Sequence, residues 1–142
     1  MLGDQASFRK QNIIDGKDDT CWNSDEGKQQ FVVFRFASPV NISRVDLTFQ
    51  GGFAPKSLNI AVGISHPQDA SKMLFKPIAD YQVVDTNSEQ TFAVQAQHVI
   101  ALKVSCTEFY DFYGRIIMYH ARVYGESINP WTFRSSMENT IY

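Results

Sequence analysis

Three histidines and two cysteines are the side chains of this sequence that could most readily support catalysis. None of the histidines, His66, His98 and His120, lies in an H-E-x-x-H, H-x-H or Cys/His zinc spacing. The sequence also lacks a G-x-S-x-G nucleophile motif and the glycine-rich loops that bind phosphates. Cys21 and Cys106 do not make a disulfide framework, and acidic residues flank Cys21, so its thiolate is not favoured. We therefore expect a non-enzymatic protein with two free thiols in a reducing compartment.

The turn that begins at Asp15 offers a different chemistry. In the run D-G-K-D-D-T, Asp15 and Thr20 can direct a carboxylate, a hydroxyl and several carbonyl oxygens at one point. Such hard oxygen atoms suit calcium, which binds about 6–8 of them. The same residues also fit a loop held by its own hydrogen bonds, with an Asx turn at Asp15, a positive φ at Gly16 and a cap from Thr20. The residues alone leave both alternatives open.

Two apolar loops could bind a partner. The run Q-G-G-F-A-P at residues 50–55 carries Phe53 beside two glycines, which allow another backbone to approach closely. The run E-F-Y-D-F-Y-G-R at residues 108–115 combines several aromatic rings with Arg115. Aromatic residues and arginine dominate the hot spots of protein interfaces, so both loops are candidate contact surfaces.

Each of these loops also has a purely structural alternative. Phe53 could fold back and cap one end of the fold. Phe109 and Phe112 could belong to the core while Arg115 pairs with Asp111. As a binding surface, the candidate residues are Phe53, Lys56, Asp111, Phe112, Tyr113 and Arg115.

Alternation of apolar and polar residues predicts the strands that must position these loops. The predicted strands cover residues 31–36, 42–49, 58–64, 78–84, 91–94, 100–106 and 115–124. Turn residues separate them, among them Ser38-Pro39, Gly51-Gly52 and His66-Pro67. No window shows a long amphipathic helix. We expect an all-β sandwich or barrel with Trp22 in its core.

Composition and charge exclude several classes of protein. The chain has 142 residues, 44% of them hydrophobic and 13% aromatic, which suffices for one domain with a substantial core. Its net charge is −2 and it has no Lys/Arg block, which argues against binding to nucleic acid or to an anionic membrane surface. No apolar run approaches the roughly 20 residues that span a bilayer, and the polar first ten residues do not read as a secretory signal.

Residues 12–24, N-I-I-D-G-K-D-D-T-C-W-N-S, resemble the first loop of discoidin domains, the coagulation factor V/VIII C-type modules of the galactose-binding-like superfamily. The run R-V-Y-G at residues 122–125 resembles the closing strand of that family. The resemblance implies an all-β discoidin-like jelly-roll sandwich of about eight antiparallel strands, without catalytic machinery. It predicts one domain over residues 1–125, followed by a C-terminal tail at 126–142 that is docked or flexible.

The same resemblance implies a calcium site in those relatives that bind metal. Its ligands would be the carbonyls of Asn12 and Lys17, the Asp15 carboxylate, Thr20 and a Glu at the position of His120. An imidazole is a poor calcium ligand, and the change removes one of two carboxylates. A neutral His120 could instead donate a hydrogen bond to Asp15 and join the loop to the last strand, and a protonated His120 would form an ion pair with Asp15. We therefore predict no cofactor, with calcium as the alternative.

Four further motifs resemble small, single-domain intracellular members of the superfamily. They are C-W-N-S-D at residues 21–25, F-Q-G-G-F at 49–53, Q-T-F at 90–92, and D-F-Y-G-R at 111–115 with Y-H at 119–120. This closer resemblance implies a protein partner, the orphan nuclear receptor testicular receptor 4, whose transactivation is repressed when its DNA binding is reduced. It implies a nuclear location, with the cytoplasm as the alternative.

Two other functions compete with this protein-binding role. One is a carbohydrate-binding lectin module, and the other is a structural subunit of an intracellular assembly such as a ciliary transport complex. Glycan binding predicts an open polar pocket near the loops at residues 15, 51 and 111. Protein binding predicts an exposed apolar patch of roughly several hundred Å² there.

Overall fold

The computed structural model describes residues 9–127 and 140–141 of the chain. A short 3-10 helix, Lys10–Ile14, is followed by antiparallel strands. They are β1 (Trp22–Asn23), β2 (Gln30–Phe49), β3 (Ser57–His66), β4 (Asp69–Gln82), β5 (Gln90–Cys106), β6 (Ile117–Ser127) and β7 (Thr140–Ile141). Within these ranges no helix is long and apolar enough to cross a membrane. The predicted all-β architecture is confirmed.

Two long strands, β2 and β5, build the sandwich because each runs through both of its layers. The second half of β2 pairs with the first half of β5 and with β6, and β6 pairs with β1. The first half of β2 pairs with the second half of β5 and with β7, while β5 continues to β3 and then β4. The strand order is therefore β1-β6-β2-β5-β3-β4, with β7 on β2.

The predicted break at Ser38-Pro39 is wrong. β2 runs without interruption past both residues, and its pairing with β5 shifts register between Arg35 and Val40. The predicted strands 91–94 and 100–106 are likewise one strand, β5, in which His98 adopts φ 58° and donates its N–H to Asn41 Oδ1 at 3.0 Å. Bulges of this kind bend a strand without ending it. The described part of the chain thus has seven strands where about eight were predicted.

Strand β4 begins earlier than predicted, at Asp69 instead of residue 78. It pairs with β3 alone and forms one edge of the sheet. Exposed residues dominate its first half, so this half carries no hydrophobic alternation for a sequence pattern to detect. Pro77 is tolerated because an edge strand can lack a ladder hydrogen bond. The last strand of the main sheet, β6, starts at Ile117 and not at residue 115 as predicted.

Side chains from both layers fill the core. Val45, Leu47 and Phe49 come from one half of β2, and Val32 and Phe34 come from the other. Each fully buried side chain of this size contributes about 1.5–3 kcal/mol of transfer free energy. Trp22 is buried in the same cluster, which confirms its predicted place.

Of the predicted polar arm at residues 1–10, residues 1–8 lie outside the described part of the chain. Residues 128–139 of the predicted tail also lie outside it. The described backbone of Thr140–Ile141 pairs with Phe34 and Arg35 of β2.

Candidate binding surface

Three loops meet at one end of the sandwich. The loop between β2 and β3 is tied to the loop after β4, since Gly51 N–H donates to Asn87 Oδ1 at 2.7 Å and Gly52 N–H donates to Asp85 Oδ1 at 2.8 Å. The loop before β6 joins them through the Ile117 N–H, which donates to the Phe53 carbonyl at 3.1 Å. Gly52 has φ +89°, a backbone conformation that glycine adopts without strain. These bonds place the two predicted apolar loops side by side.

Backbone contacts also join the loop between β2 and β3 directly to the loop before β6. Pro55 and Phe109 form an isolated antiparallel bridge, and Lys56 N–H donates to the Glu108 carbonyl at 2.8 Å. The Lys56 ammonium lies 5.7 Å from the centre of the Tyr110 ring, within cation–π distance. Lys56, predicted from sequence as a binding residue, therefore stands beside an exposed aromatic ring.

Asp111 and Arg115 form the polar centre of the surface. The Arg115 backbone N–H and Nε both donate to Asp111 Oδ2, at 3.0 and 3.1 Å, and Nη2 donates to Oδ1 at 3.4 Å. The side-chain hydrogen bond from Arg115 lowers the pKa of Asp111 and the same bond raises the pKa of Arg115. The predicted pairing of Arg115 with Asp111 is confirmed, and it fixes the direction of the guanidinium.

We name Phe53, Tyr110, Phe112, Tyr113 and Arg115 the aromatic rim. Phe112 is 93% exposed, Tyr113 is 56% exposed, and their rings meet edge to face with centroids 5.3 Å apart. The Arg115 guanidinium lies 5.5 Å from the ring centres of both Phe53 and Tyr113. The expectation that Phe112 could be a core residue is wrong, because its side chain projects from the loop.

Phe109 packs against the buried cluster, as expected if it belongs to the core. The two phenylalanines of the loop therefore face opposite ways. One anchors the loop and the other stands in solvent.

The loop that carries Phe112 is fixed through Gly114. This residue has φ +77°, and a Cβ at this position would overlap the carbonyl oxygen of Gly27. Gly27 N–H donates to the Tyr113 carbonyl at 3.0 Å, and Gln30 Nε2 donates to the Gly114 carbonyl at 3.1 Å. The exposed rings thus stand on a loop whose backbone is held in place before any partner arrives.

A polar groove of about 340 Å³ adjoins this loop. Its lining includes Arg9, Lys10, Trp22 and Gln30. The Lys10 ammonium lies 5.2 Å from the Trp22 ring centre and 4.4 Å from that of Phe31, and burial lowers the pKa of Lys10. Sequence reasoning missed this groove because no motif joins Lys10 to Phe31. Their contact arises only when the 3-10 helix lies beside the first residues of β2.

The Asp15 loop is held by its own hydrogen bonds. Lys17 N–H donates to Asp15 Oδ1 at 2.8 Å, and the Thr20 hydroxyl donates to Asp15 Oδ2 at 2.5 Å. Asn12 Nδ2 donates to the Cys21 carbonyl at 3.1 Å. Gly16 has the positive φ, +74°, that the hydrogen-bonded loop requires.

His120 lies near this loop but contacts a different carboxylate from the one expected. Its Nε2 is 3.0 Å from Asp18 Oδ1, so Asp18 and not Asp15 links the loop to β6. Over the described ranges no group of three or more His, Cys, Asp or Glu residues is arranged to hold a metal ion. Both oxygens of Asp15 accept hydrogen bonds from the loop and Asp18 faces His120, so the carboxylates of the loop do not converge as a calcium cage requires.

The two cysteines are poorly suited to nucleophilic chemistry. Burial raises the pKa of Cys106 to about 12 and also raises that of Cys21. A thiol reacts through its thiolate, so both environments oppose reaction near neutral pH.

Comparison with known proteins identifies the family. The family model described as Sad1 / UNC-like C-terminal matches residues 5–127. The nuclear receptor 2C2-associated protein of Homo sapiens is 37% identical over 121 residues, which are 85% of this chain and 83% of the human protein. The chain belongs to the nuclear receptor 2C2-associated protein family and to the Sad1/UNC-like C-terminal family. The first membership confirms the closer resemblance seen in the four motifs, whereas sequence reasoning did not identify the second.

Solved structures confirm the fold of this nuclear receptor 2C2-associated protein homologue. Chitosan-binding module 1 from a chitosanase/glucanase of Paenibacillus sp. IK-5 superposes with a TM-score of 0.70 at 21% identity, covering 85% of this chain and 88% of the module. An F5/8 type C domain from Bacteroides fragilis gives a TM-score of 0.68 at 16% identity, covering 88% of this chain and 85% of that domain. The predicted discoidin-like sandwich is therefore correct.

Proposed function

We propose that the chain is a non-catalytic protein-binding module that contacts its partner through the aromatic rim. The observation that carries this proposal is the 93% exposure of Phe112 on a loop whose backbone is fixed. Contact with water is unfavourable for an exposed phenylalanine, so its burial against a partner favours binding. A rigid loop also loses little conformational entropy when it binds. Phe112, Tyr113 and Arg115 together provide the residue types that concentrate binding energy in interfaces.

The family name supplies the class of partner. The relatives are named for association with nuclear receptor 2C2, so we propose a nuclear receptor as the partner and the nucleus as the location. The net charge of −2 and the absence of a Lys/Arg block do not favour contact with DNA. In this proposal the module occupies a surface of the receptor and so reduces the receptor's binding to its response elements.

Binding measurements with rim variants test the proposal. Phe112→Ala and Tyr113→Ala remove exposed rings of the rim, and Leu74→Ala is the matched control because Leu74 is exposed on β4, away from these loops. A hot spot contributes at least about 2 kcal/mol, so each rim variant should weaken binding to purified nuclear receptor 2C2 roughly 30-fold. Leu74→Ala should leave it unchanged. Equal affinities for the chain and both rim variants would show that the rim is not the contact surface.

A mobility-shift assay tests the repressive step separately. The unmodified chain should reduce the amount of response element bound by the receptor, and Phe112→Ala should not. If the chain binds the receptor but leaves its DNA affinity unchanged, the module is a receptor-binding protein without the proposed repressive mechanism.

Glycan binding is the second candidate function, because exposed rings stand beside a polar pair. Phe112 and Tyr113 could stack on sugar rings, and Asp111 and Arg115 present charged groups within the same loop. The fold is shared with a chitosan-binding module. A glycan array read with and without calcium tests this candidate. Binding to a defined sugar that is lost in Phe112→Ala would favour the lectin function over the protein-binding function.

A further inference from the structure

Two lysines lie against the same phenylalanine ring on the outward face of the second layer. This layer consists of the first half of β2, the second half of β5, and strands β3 and β4. Along β2, Val32 belongs to the core cluster, so its neighbour Phe31 points outward, where it is 41% exposed. The Lys10 ammonium lies 4.4 Å from the centre of the Phe31 ring, and the Lys103 ammonium lies 4.9 Å from it.

Neither lysine has an acidic partner. In the described part of the chain, no ion pair includes Lys10, Lys103 or the neighbouring Arg9. The two ammonium groups are close enough through the shared ring for their charges to repel each other. Aromatic rings attract a cation but do not balance its charge. Burial lowers the pKa of Lys10, as expected for an ammonium that has lost water without gaining a carboxylate.

The polar groove described above continues from these lysines. Lys10 belongs to the lining of the groove and also contacts Phe31. Arg9 adds a second cation to the lining, and Asn23 can offer an amide N–H to a bound carbonyl group. Among the described lining residues, the single carboxylate is that of Asp25. The groove thus carries more positive than negative charge, and its volume of about 340 Å³ is that of a ligand site.

A second ring extends the positive region away from the groove. The Lys103 ammonium lies 5.5 Å from the centre of the Phe75 ring on β4. We name Arg9, Lys10, Phe31, Lys103 and Phe75 the basic–aromatic patch. The whole chain carries a net charge of −2, so this local group of cations differs in sign from the protein as a whole.

The spacing of the patch favours an acidic peptide as its ligand. In an extended segment, the side chains of residues i and i+2 lie on one side, about 7 Å apart. The two ammonium nitrogens lie within 4.4 and 4.9 Å of one ring centre, so two carboxylates at that spacing can reach both. The methylene groups of glutamate side chains can cover the exposed ring between them. Nucleic acid fits less well, because the sequence has no Lys/Arg block to neutralise a row of phosphates.

We propose that the basic–aromatic patch binds an acidic segment of a protein partner, with carboxylates at Lys10 and Lys103 and aliphatic stems over Phe31. The chain then has two contact surfaces of different chemistry. This inference goes beyond the proposed function, because the patch shares no residue with the aromatic rim.

Fluorescence anisotropy with a labelled peptide tests the requirement for acidic groups. The probe is a ten-residue peptide of alternating Glu and Ser, and its control has Gln in place of every Glu. At low salt the full chain should bind the Glu peptide at least about tenfold more tightly, and added salt should weaken this binding. Equal affinities for the two peptides, or tighter binding to a short DNA duplex or to phosphatidylserine vesicles, would overturn the proposal.

Carbodiimide cross-linking locates the contact, because it joins a carboxylate to an amine that touches it. Mass spectrometry should find the Glu peptide attached to Lys10 and Lys103. Lys76 is the internal reference, since it is exposed on β4 but pairs with Val62 of the core cluster and so lies on the opposite face from the patch. Attachment at Lys76 or Lys56 in place of the patch lysines would overturn the proposal. So would links between two copies of the chain that form at the patch without peptide.

Two matched variants separate the patch from net charge. Lys103→Gln and Lys76→Gln each remove one positive charge, from opposite faces of the second layer. Lys103→Gln should weaken binding of the Glu peptide several-fold, and Lys76→Gln should leave it unchanged. Equal effects of both variants would overturn the proposal, because binding would then follow net charge alone. Receptor binding by Phe112→Ala is read with a different probe, so its outcome does not bear on this one.

Discussion

Gly114→Ala should destabilise the fold more than alanine at other glycines. The substitution has two costs that the structure separates. A residue with a Cβ at φ +77° is destabilised by about 1–2 kcal/mol, and that Cβ overlaps the Gly27 carbonyl oxygen. Relief of the overlap must move the backbone and weaken two hydrogen bonds, from Gly27 N–H to Tyr113 and from Gln30 to Gly114, each contributing about 1 kcal/mol. The expected loss in the free energy of unfolding is therefore about 3–4 kcal/mol.

Two further glycines serve as controls for the separate costs. Gly52 has φ +89° but open space around its Cβ position, so Gly52→Ala should lose only about 1–2 kcal/mol. Gly125 has no positive φ, yet a Cβ there overlaps the Asn41 carbonyl oxygen. Gly125→Ala should therefore show an intermediate loss, from overlap alone.

Urea unfolding at equilibrium measures all three losses, provided that the m-value is unchanged. The order predicted is Gly52→Ala smallest and Gly114→Ala largest. If Gly114→Ala costs no more than Gly52→Ala, the loop is not held against Gly27, and the rim is not fixed before it binds.

Asp111, Cys106 and His98 each have a measurable effect on stability or reactivity. Because Arg115 lowers the pKa of Asp111, the stability from this pair is present above the unfolded pKa of about 3.9 and is lost as pH falls through the lower folded pKa. In Asp111→Asn the free energy of unfolding should therefore fall less steeply below about pH 4 than in the unmodified chain. The same pH dependence in both proteins would contradict this. Cys106, with its pKa raised to about 12, should resist alkylation at pH 8 until the chain unfolds; rapid alkylation of the folded chain would contradict its burial. His98→Gly should raise the free energy of unfolding by about 1 kcal/mol in urea titrations. The substitution removes the strain of φ 58° and keeps the backbone N–H bond to Asn41. A loss of stability would show that packing of the imidazole ring stabilises the fold.

The all-β fold could be predicted from sequence because its core residues alternate along most strands. Val45, Leu47 and Phe49 reveal their strand by period two, and the motif around Trp22 identifies the superfamily. The break at Ser38-Pro39 could not be judged in the same way. Turn residues mark a change of direction, but whether the chain ends its pairing or bends through a bulge depends on the partner strand.

The candidate surface was predictable in composition but not in orientation. The sequence singled out Phe109 and Phe112 without showing which of them is buried, because residues in an irregular loop follow no period. The partner of His120 was also beyond sequence reasoning, since Asp15 and Asp18 are three residues apart in one loop. The contact between Lys10 and Phe31 depends on the path of the chain around Trp22, which no local motif encodes.

Hydrogen–deuterium exchange of the chain, alone and with purified nuclear receptor 2C2, tests the central claim most directly. The receptor should slow exchange at residues 50–56 and 107–116 and leave exchange in edge strand β4 unchanged. A complex that protects β4 or the polar groove beside Lys10, with no change in either rim loop, would contradict it.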